Sequence, residues 1–448
     1  MKKVITYGTY DLLHHGHIKL LERAKALGDY LIVGVTSDDF DKTRGKINVQ
    51  QSLMERIEAV RATGIADEVI VEEYEGQKID DIRRMGVDIF TVGSDWVGKF
   101  DYLNEFCEVV YLPRTEGVSS SEIRDTKRKI HLGIICENKV PHKVLDECTF
   151  VNGIDVTSIY FAGDKVKPFN PEDYNIEVKK TLEELLADVD AVFIEAHPAK
   201  HYGLISHAIG EKKHVICESP ISLNEKECEE LFDMAKESDC ILMEGIKTAY
   251  ATAYNRILLM ARDGRIGDIV SIDATCTSLS DKDYHVGNTE LRGKNSMFAW
   301  GPIALLPVFQ ILGTDYKNFY MVTKYLDEKK EYDAYTKVDF IYDSATASIR
   351  VAKGAKAEGS LVITGTKGYI YVPAPWWKTD YYEVRYEEQD ANKKYFYQLD
   401  GEGIRYEMVA FARSIATHNK ELYIDKKISV AISKVMRNFC DKKNLFEI

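Results

Sequence analysis

Residues 3 to 111 alternate short apolar runs with segments of helical periodicity, an order that few folds accept. The spacing predicts strands over 3–7, 30–35, 68–71, 88–92 and 108–111, with helices over 16–27, 52–63 and 77–85 between them. Strands joined through helices pair in parallel, because each crossover returns the chain in the same direction, and helices then cover both faces of the sheet. The first turn of the series is its most informative part. Val4-Ile5-Thr6-Tyr7 passes through Gly8-Thr9-Tyr10-Asp11-Leu12-Leu13 into His14-His15-Gly16-His17, which opens a helix. Two imidazoles, His14 and His17, and several main-chain NH groups thus meet at a helix N-terminus, a place that suits phosphate. Gly16 lets the backbone approach such an anion closely.

At 448 residues the chain is too long for one ordinary core. The basic link Thr126-Lys127-Arg128-Lys129 precedes a new apolar run over 130–135, which puts a first domain at 1–128. A second alternating series, with the buried-strand runs Ala191-Val192-Phe193-Ile194 and His214-Val215-Ile216-Cys217, gives a domain over 129–246. From Val270 the pattern changes to apolar-polar alternation, as in Thr346-Ala347-Ser348-Ile349-Arg350-Val351, and a final amphipathic helix is expected over about 427–441. The expected fold class is α/β: a Rossmann-like domain with a parallel sheet, a second Rossmann-like domain, and an α+β domain over 247–448 with a mainly antiparallel sheet.

The formal net charge of -13 excludes a general nucleic-acid binder, whose affinity would rest on Lys and Arg. A small anion needs only a local basic pocket. No apolar targeting stretch follows Met1-Lys2-Lys3 and no run is long enough to span a bilayer, so no membrane contact and a cytoplasmic location are expected. The eight cysteines show no Cys-x-x-Cys spacing, so buried thiols are expected, with neither a disulfide scaffold nor a protein-ligated metal.

Two further blocks accompany the first: Gly93-Ser94-Asp95-Trp96-Val97-Gly98-Lys99-Phe100-Asp101 and Tyr111-Leu112-Pro113-Arg114-Thr115-Glu116-Gly117-Val118-Ser119-Ser120-Ser121. In register, the three resemble the glycerol-3-phosphate cytidylyltransferase family of nucleotidyltransferases, over residues 1–127. The resemblance implies that His14 and His17 contact the phosphates, joined in catalysis by Lys46 and Arg114, while Thr9, Tyr10, Asp11 and Gly16 shape the pocket. Arg44 and Lys46 match the basic pair after the second strand, with Arg44 in place of the usual Lys, and Arg56 matches a helix arginine. A second helix arginine falls on Gly64, which leaves Arg61, one turn earlier, as the nearest cation. Arg44, Arg56 and Arg61, with Asp11, are then the residues of the acceptor-phosphate side. Arg114, Thr115, Ser119 and Ser120 match the grip on the β- and γ-phosphates; the serines also read as the N-cap of a helix over 119–126, with Glu122 completing a capping box. Asp95 and Trp96 match the cytosine side, where a carboxylate accepts from the C4 amino group and an indole packs on the ring.

Beyond residue 131, Asp190-Ala191-Val192-Phe193-Ile194-Glu195-Ala196-His197-Pro198, Lys213-His214-Val215-Ile216-Cys217-Glu218-Ser219-Pro220 and Gly401-Glu402-Gly403-Ile404-Arg405-Tyr406-Glu407 resemble the Gfo/Idh/MocA oxidoreductase family. The resemblance implies a dinucleotide-binding domain followed by an α+β domain. Its chemical positions are altered. Cys136-Glu137-Asn138-Lys139-Val140-Pro141 stands for the glycine-rich turn, Ser219 for the motif lysine, and Ala299 and Ile303 for the Asp and His of the substrate helix. His197 and His201 are expected to be structural, and the aromatic run from Tyr369 through Trp376 and Trp377 to pack or to pair with another subunit.

Together the resemblances imply transfer of CMP from CTP to a polyol phosphate, first of all sn-glycerol 3-phosphate, giving CDP-glycerol and pyrophosphate, with Mg²⁺ accompanying CTP. They imply a degenerate second region without NAD(P), and a homodimer or higher homo-oligomer. The alternative is a bifunctional enzyme that reduces a ketose phosphate with NAD(P)H before cytidylylating the product. A third reading makes the second region a module that binds a sugar or a nucleotide.

Overall fold

The computed structural model describes residues 1–37, 49, 51–72, 77–113, 129–151, 153–163, 168–279, 295–330, 332–397, 399, 401–418 and 422–448. Arg44, Lys46, Arg114, Thr115, Ser119 and Ser120, and the helix expected over 119–126, lie outside the described residues. The chain forms two compact units, Met1–Lys129 and Ile130–Ile448.

The first unit runs β1 (Lys3–Gly8), α1 (His15–Lys25), β2 (Tyr30–Thr36), α2 (Leu53–Ala62), β3 (Glu68–Glu72), α3 (Gln77–Met85), β4 (Ile89–Gly93) and β5 (Glu108–Leu112). All five strands are parallel, in the order β3-β2-β1-β4-β5. Neighbouring residues of β1 serve opposite faces: Val4 joins Leu21, Leu31 and Val60, whereas Ile5 joins Ile32, Ile82 and Phe90. The strand order reverses between β1 and β4. A crevice therefore opens at the carboxyl ends of those two strands, the usual ligand position of an open α/β sheet.

The second unit begins with β6 (Ile130–Cys136), α4 (His142–Cys148), β7 (Ile154–Phe161), β8 (Glu177–Lys179), α5 (Leu182–Asp188), β9 (Ala191–Glu195), α6 (Pro198–Gly210), β10 (His214–Glu218), α7 (Glu225–Glu237) and β11 (Leu242–Gly245). Its parallel sheet has the order β11-β10-β9-β6-β7-β8. After α8 (Thr252–Arg262) comes a mixed sheet of β12 (Ile269–Thr277), β13 (Asn318–Tyr325), β14 (Asp333–Ile341), β15 (Thr346–Ala352), β16 (Leu361–Gly365), β17 (Gly368–Val372), β18 (Tyr381–Tyr386), β19 (Lys393–Phe396) and β20 (Leu445–Glu447). Helix α9 (Ser296–Leu312) lies on β12, β14 and β15, and α10 (Ile404–Thr417) and α11 (Lys426–Cys440) complete the unit.

Three details add to the sequence reading. β12 pairs in parallel with β15, so the sheet is mixed although most of its pairs are antiparallel. The last helix is followed by β20, three residues that pair in parallel with β13, too short to leave a pattern. The tryptophans of the aromatic run are satisfied within the chain: Trp376 is fully buried and donates Nε1–H to the Thr275 carbonyl at 3.0 Å, and Trp377 packs on Trp300 at 4.8 Å. Six of the eight cysteines are buried and all eight are free. Among the described residues no helix is long and apolar enough to cross a membrane.

Candidate active site

The site of the first unit is built on the loop that leaves β1. Helix α1 has His14 as its N-cap, and His14 Nδ1 accepts from Gly16 N at 3.1 Å. His17 Nδ1 in turn accepts from His14 N at 3.4 Å, which makes a capping box out of two imidazoles. A ring nitrogen that accepts carries no proton, so each neutral ring bears its proton on Nε2. The rings are stacked, 3.9 Å between centroids and 20° between planes. The two acceptor bonds at the helix end thus assign the ring protons to Nε2 and set the two Nε2 atoms on parallel rings.

The loop itself is costly to hold. Tyr10 and Leu12 both have positive φ, 53° and 48°, at roughly 1 kcal/mol or more apiece. What holds it is Gln51 and Arg56. Gln51 N donates to the Asp11 carboxylate at 3.0 Å, and Gln51 Oε1 accepts from Leu12 N at 2.7 Å. Arg56, fully buried, donates to the carbonyls of Thr9 and Thr36 at 2.8 Å each and to that of Gln51 at 3.2 Å. One guanidinium therefore ties the loop after β1 to the end of β2 and to the entry of α2. That entry is itself capped: Ser52 Oγ accepts from Glu55 N at 3.4 Å, and the Glu55 carboxylate accepts from Ser52 N at 2.7 Å.

Several expected site residues are placed otherwise than the sequence reading has them. Tyr10 was expected beside the nucleotide, but its left-handed backbone turns the ring into the core with Leu21, Ala24 and Val33, at 2% exposure. Asp11 and Arg56 were expected on the acceptor-phosphate side; both are buried and engaged with the chain's own amides and carbonyls. Arg61 is exposed on α2 and pairs with Glu58 at 2.8 Å, outside this group. Thr9 meets the Thr36 hydroxyl at 3.4 Å. Asp95 and Trp96 form a single 3-10 turn directly after β4, beside the loop that leaves β1 because β4 and β1 are neighbours. Asp95 is exposed, and Trp96 is half-buried against Phe100 with Lys99 Nζ 5.2 Å from its ring. Gln51, which clasps the loop, was not singled out from sequence. A lone glutamine before a capped helix carries no signal there.

In the second unit a cavity of about 480 Å³ opens at the carboxyl ends of β6, β9, β10 and β11. Ser219, Ala299 and Ile303 all line it, so the three altered positions share one place. Glu137, in the turn after β6, pairs with Lys200 at 2.7 Å, and Asn138 fills the space beside Gly163, where an added Cβ would stand 2.1 Å from Asn138 Oδ1. His197 caps α6, and buried His201 meets the carbonyls of Pro220 and Ala196 at 2.8 and 3.0 Å, both structural positions. The cavity also holds Lys247 and Glu407, which sequence reasoning did not select.

Comparison with known proteins agrees with the division into units. Residues 5–126 match the cytidylyltransferase-like family model, and residues 145–246 match the oxidoreductase family with NAD-binding Rossmann fold. Glycerol-3-phosphate cytidylyltransferase of Bacillus spizizenii is 52% identical over 124 residues, 28% of this chain and 95% of that protein. The corresponding Staphylococcus aureus enzyme is 49% identical over 128 residues, 28% of this chain and 93% of that protein. Among solved structures, the 3-ketoreductase KijD10 of Actinomadura kijaniata, in complex with NADP and TDP-benzene, superposes with a TM-score of 0.61 at 17% identity, covering 72% of this chain and 100% of that one. An NAD binding oxidoreductase of Klebsiella pneumoniae gives 0.60 at 15% identity, covering 69% and 95%. At such identity the likeness is one of fold. Half the residues are identical through nearly the full length of the Bacillus enzyme; the chain therefore belongs to the glycerol-3-phosphate cytidylyltransferase family and is a nucleotidyltransferase with an oxidoreductase-like region behind it.

Proposed function

We propose that the protein transfers CMP from CTP to the phosphate of a polyol phosphate, with sn-glycerol 3-phosphate the first candidate, and releases pyrophosphate. The observation that carries this reading is the pair of stacked imidazoles whose Nδ1 atoms are committed to the backbone. An oxygen of the acceptor phosphate attacks the α-phosphorus of CTP. As that bond forms, the bond from the α-phosphorus to the bridging oxygen breaks, and pyrophosphate leaves with the electron pair. The acceptor is already an anion, so no strong base is needed, and the work left to the protein is alignment and charge stabilisation. His14 and His17 supply Nε2–H donors to the oxygens that gain charge. Asp11, Gln51 and Arg56 keep those donors in place, and Asp95 and Trp96 stand where the base would be selected. The donor set of imidazoles and main-chain amides suits phosphate oxygens rather than a hard cation, so Mg²⁺ enters on the triphosphate.

The same reading gives the oxidoreductase-like unit no hydride chemistry. In support, the turn after β6 carries a carboxylate, Glu137, where a pyrophosphate would need bare amides, and Ser219, Ala299 and Ile303 bring a hydroxyl and two aliphatic groups to the cavity. Self-association belongs to the reading too: Tyr320, Ile341 and Phe446 stand exposed on one face of neighbouring strands β13, β14 and β20. The cytoplasm is the compartment such a CTP-dependent reaction calls for.

The test is release of pyrophosphate from CTP with a panel of polyol phosphates. The highest kcat/KM is expected for sn-glycerol 3-phosphate, and the absence of release with every member would overturn the reading. NADPH added with ketose phosphates should be neither bound nor consumed; its oxidation would establish the bifunctional alternative.

A further inference from the structure

Lysine and glutamate are seldom buried unless paired, and the first unit buries one of each together. Glu72, the last residue of β3, is 1% exposed, and Lys78, in the first turn of α3, is 7% exposed; the two form an ion pair. The Lys78 ammonium lies 4.6 Å from the centre of the Tyr7 ring and 5.5 Å from that of Phe100, both within cation–π reach. Tyr7 belongs to β1. Phe100 follows Trp96 in the segment after β4, and its ring packs on Trp96 at 5.8 Å and on Phe90 of β4 at 5.2 Å. One ammonium therefore meets rings from both sides of the crevice between β1 and β4, where the strand order reverses.

The groups around it are held in turn. Tyr7 Oη donates to the Asp81 carboxylate at 2.9 Å, which also accepts from Gln77 Nε2 at 3.0 Å. The main-chain carbonyl of Glu72 accepts from Ser37 N at 2.8 Å, which joins the pair to the end of β2, next to the Thr36 carbonyl that Arg56 holds. Stability is a weak reason for such a pair. Two buried charges give up their hydration, and apolar side chains of similar volume often leave a fold equally stable or more so. What the pair supplies and apolar groups would not is a fixed cation that attracts two rings at once.

We propose that Lys78 is a positioning residue for selection of the base: through Phe100 it holds Trp96 at a set distance from β1, and so sets the width of the slot that takes cytosine. This role rests on the transferase reading, with the base at Asp95 and Trp96. Lys78 acts through the rings, with its charge answered by Glu72, and touches neither substrate.

The test is steady-state kinetics of the full chain with CTP and with UTP. Lys78→Met alone would leave the Glu72 carboxylate buried without its ammonium, so the informative variant combines Glu72→Gln with Lys78→Met, which removes both charges and keeps the volumes. Its KM for CTP should rise roughly tenfold, and its preference for CTP over UTP in kcat/KM should fall by a similar factor, with KM for sn-glycerol 3-phosphate little changed. Lys78→Arg, which keeps a cation beside both rings, should retain the preference. A merely structural role would lower the melting temperature and leave base preference alone. Unchanged KM for CTP and unchanged preference in the double variant would overturn the proposal, and so would a rise confined to KM of the acceptor, which would make Lys78 a ligand of the acceptor phosphate. Should the double variant not fold, Phe100→Leu takes the ring from the ammonium and leaves the ion pair in place; loss of base preference there supports the proposal, and wild-type preference overturns it. Failure of the transferase reading would be seen separately, as the lack of pyrophosphate release by wild type.

Discussion

Replacing Arg56 separates two roles that the same residue could play. Among the described residues the guanidinium makes three hydrogen bonds to main-chain carbonyls in a fully buried position. Arg56→Met keeps most of the side-chain volume and removes all the donors, so three carbonyls lose partners at roughly 1–3 kcal/mol each. Relief of the buried charge returns part of this, and a net loss of about 3 kcal/mol is expected. For a unit of this size that corresponds to a fall in melting temperature of about 10 °C. The loss falls on the loop carrying His14 and His17, so kcat should drop about a hundredfold for a displacement of the order of 1 Å, with KM for the polyol phosphate little changed. Arg56→Lys retains the charge, but a single ammonium cannot span the carbonyls of Thr9, Thr36 and Gln51, and it should resemble Arg56→Met. Thermal denaturation followed in parallel with steady-state kinetics decides the matter. An Arg56→Met protein that melts with wild type and shows only a raised KM for the acceptor would refute the clamp and make Arg56 a phosphate ligand.

Other perturbations probe the site and the second unit independently. His14→Ala and His17→Ala should each lower kcat by about two to three orders of magnitude, as loss of a preorganised donor does, and His14→Ala should also cost about 1 kcal/mol through the lost cap; near-normal turnover in either would count against the imidazole pair. Ser52→Ala removes the cap of α2 and should destabilise the first unit by about 1 kcal/mol, visible as a lower melting temperature, with little effect on the chemical step. Glu407 makes stability depend on pH. Its folded value, about 8, exceeds the unfolded one, so its contribution is complete in acid and is lost as pH rises through about 8. The slope is at most about 1.4 kcal/mol per pH unit, and Glu407→Gln should flatten the decline in melting temperature between about pH 5 and about pH 8; parallel curves for the two proteins would contradict the assignment.

Much of this architecture is legible in sequence because apolar runs and helical periodicity are local properties. The helices and strands of the first unit fall within one or two residues of their expected bounds, and His14 and His17 announce themselves by spacing and by the strand before them. What was not legible depends on distant partners. Arg56 on a helix reads as solvent-facing or ligand-facing; its burial is decided by carbonyls that are 47 and 20 residues away in sequence. Tyr10 sits among polar motif residues, and only the sign of its φ sends the ring inward. Strand alternation is the same in parallel and antiparallel pairs, so β12 gives no sign that β15 runs beside it in the same direction. Lys143 meets Glu402 across 259 residues, a separation at which no spacing rule operates.

The second unit's cavity argues against a reading of simple decay. Ser219, Ala299 and Ile303 bring a hydroxyl and two aliphatic groups to it, and a cavity that had merely lost its purpose would be expected to fill with aliphatic side chains, since burying a carboxyl without a partner costs stability and returns none. Glu407 is buried with one oxygen unpartnered among the described residues, and a left-handed turn at Glu402 gathers Lys143, Lys378 and Lys247, of which Lys247 lines the cavity. These are costs without structural return: Glu402 would be equally well satisfied by one lysine, and Glu407 would be cheaper as a leucine or glutamine. A cavity that keeps such polar groups is of the kind that holds a small polar ligand. The oxidoreductase outline describes how the unit folds, and the cost of keeping these buried polar groups is what a bound ligand would repay.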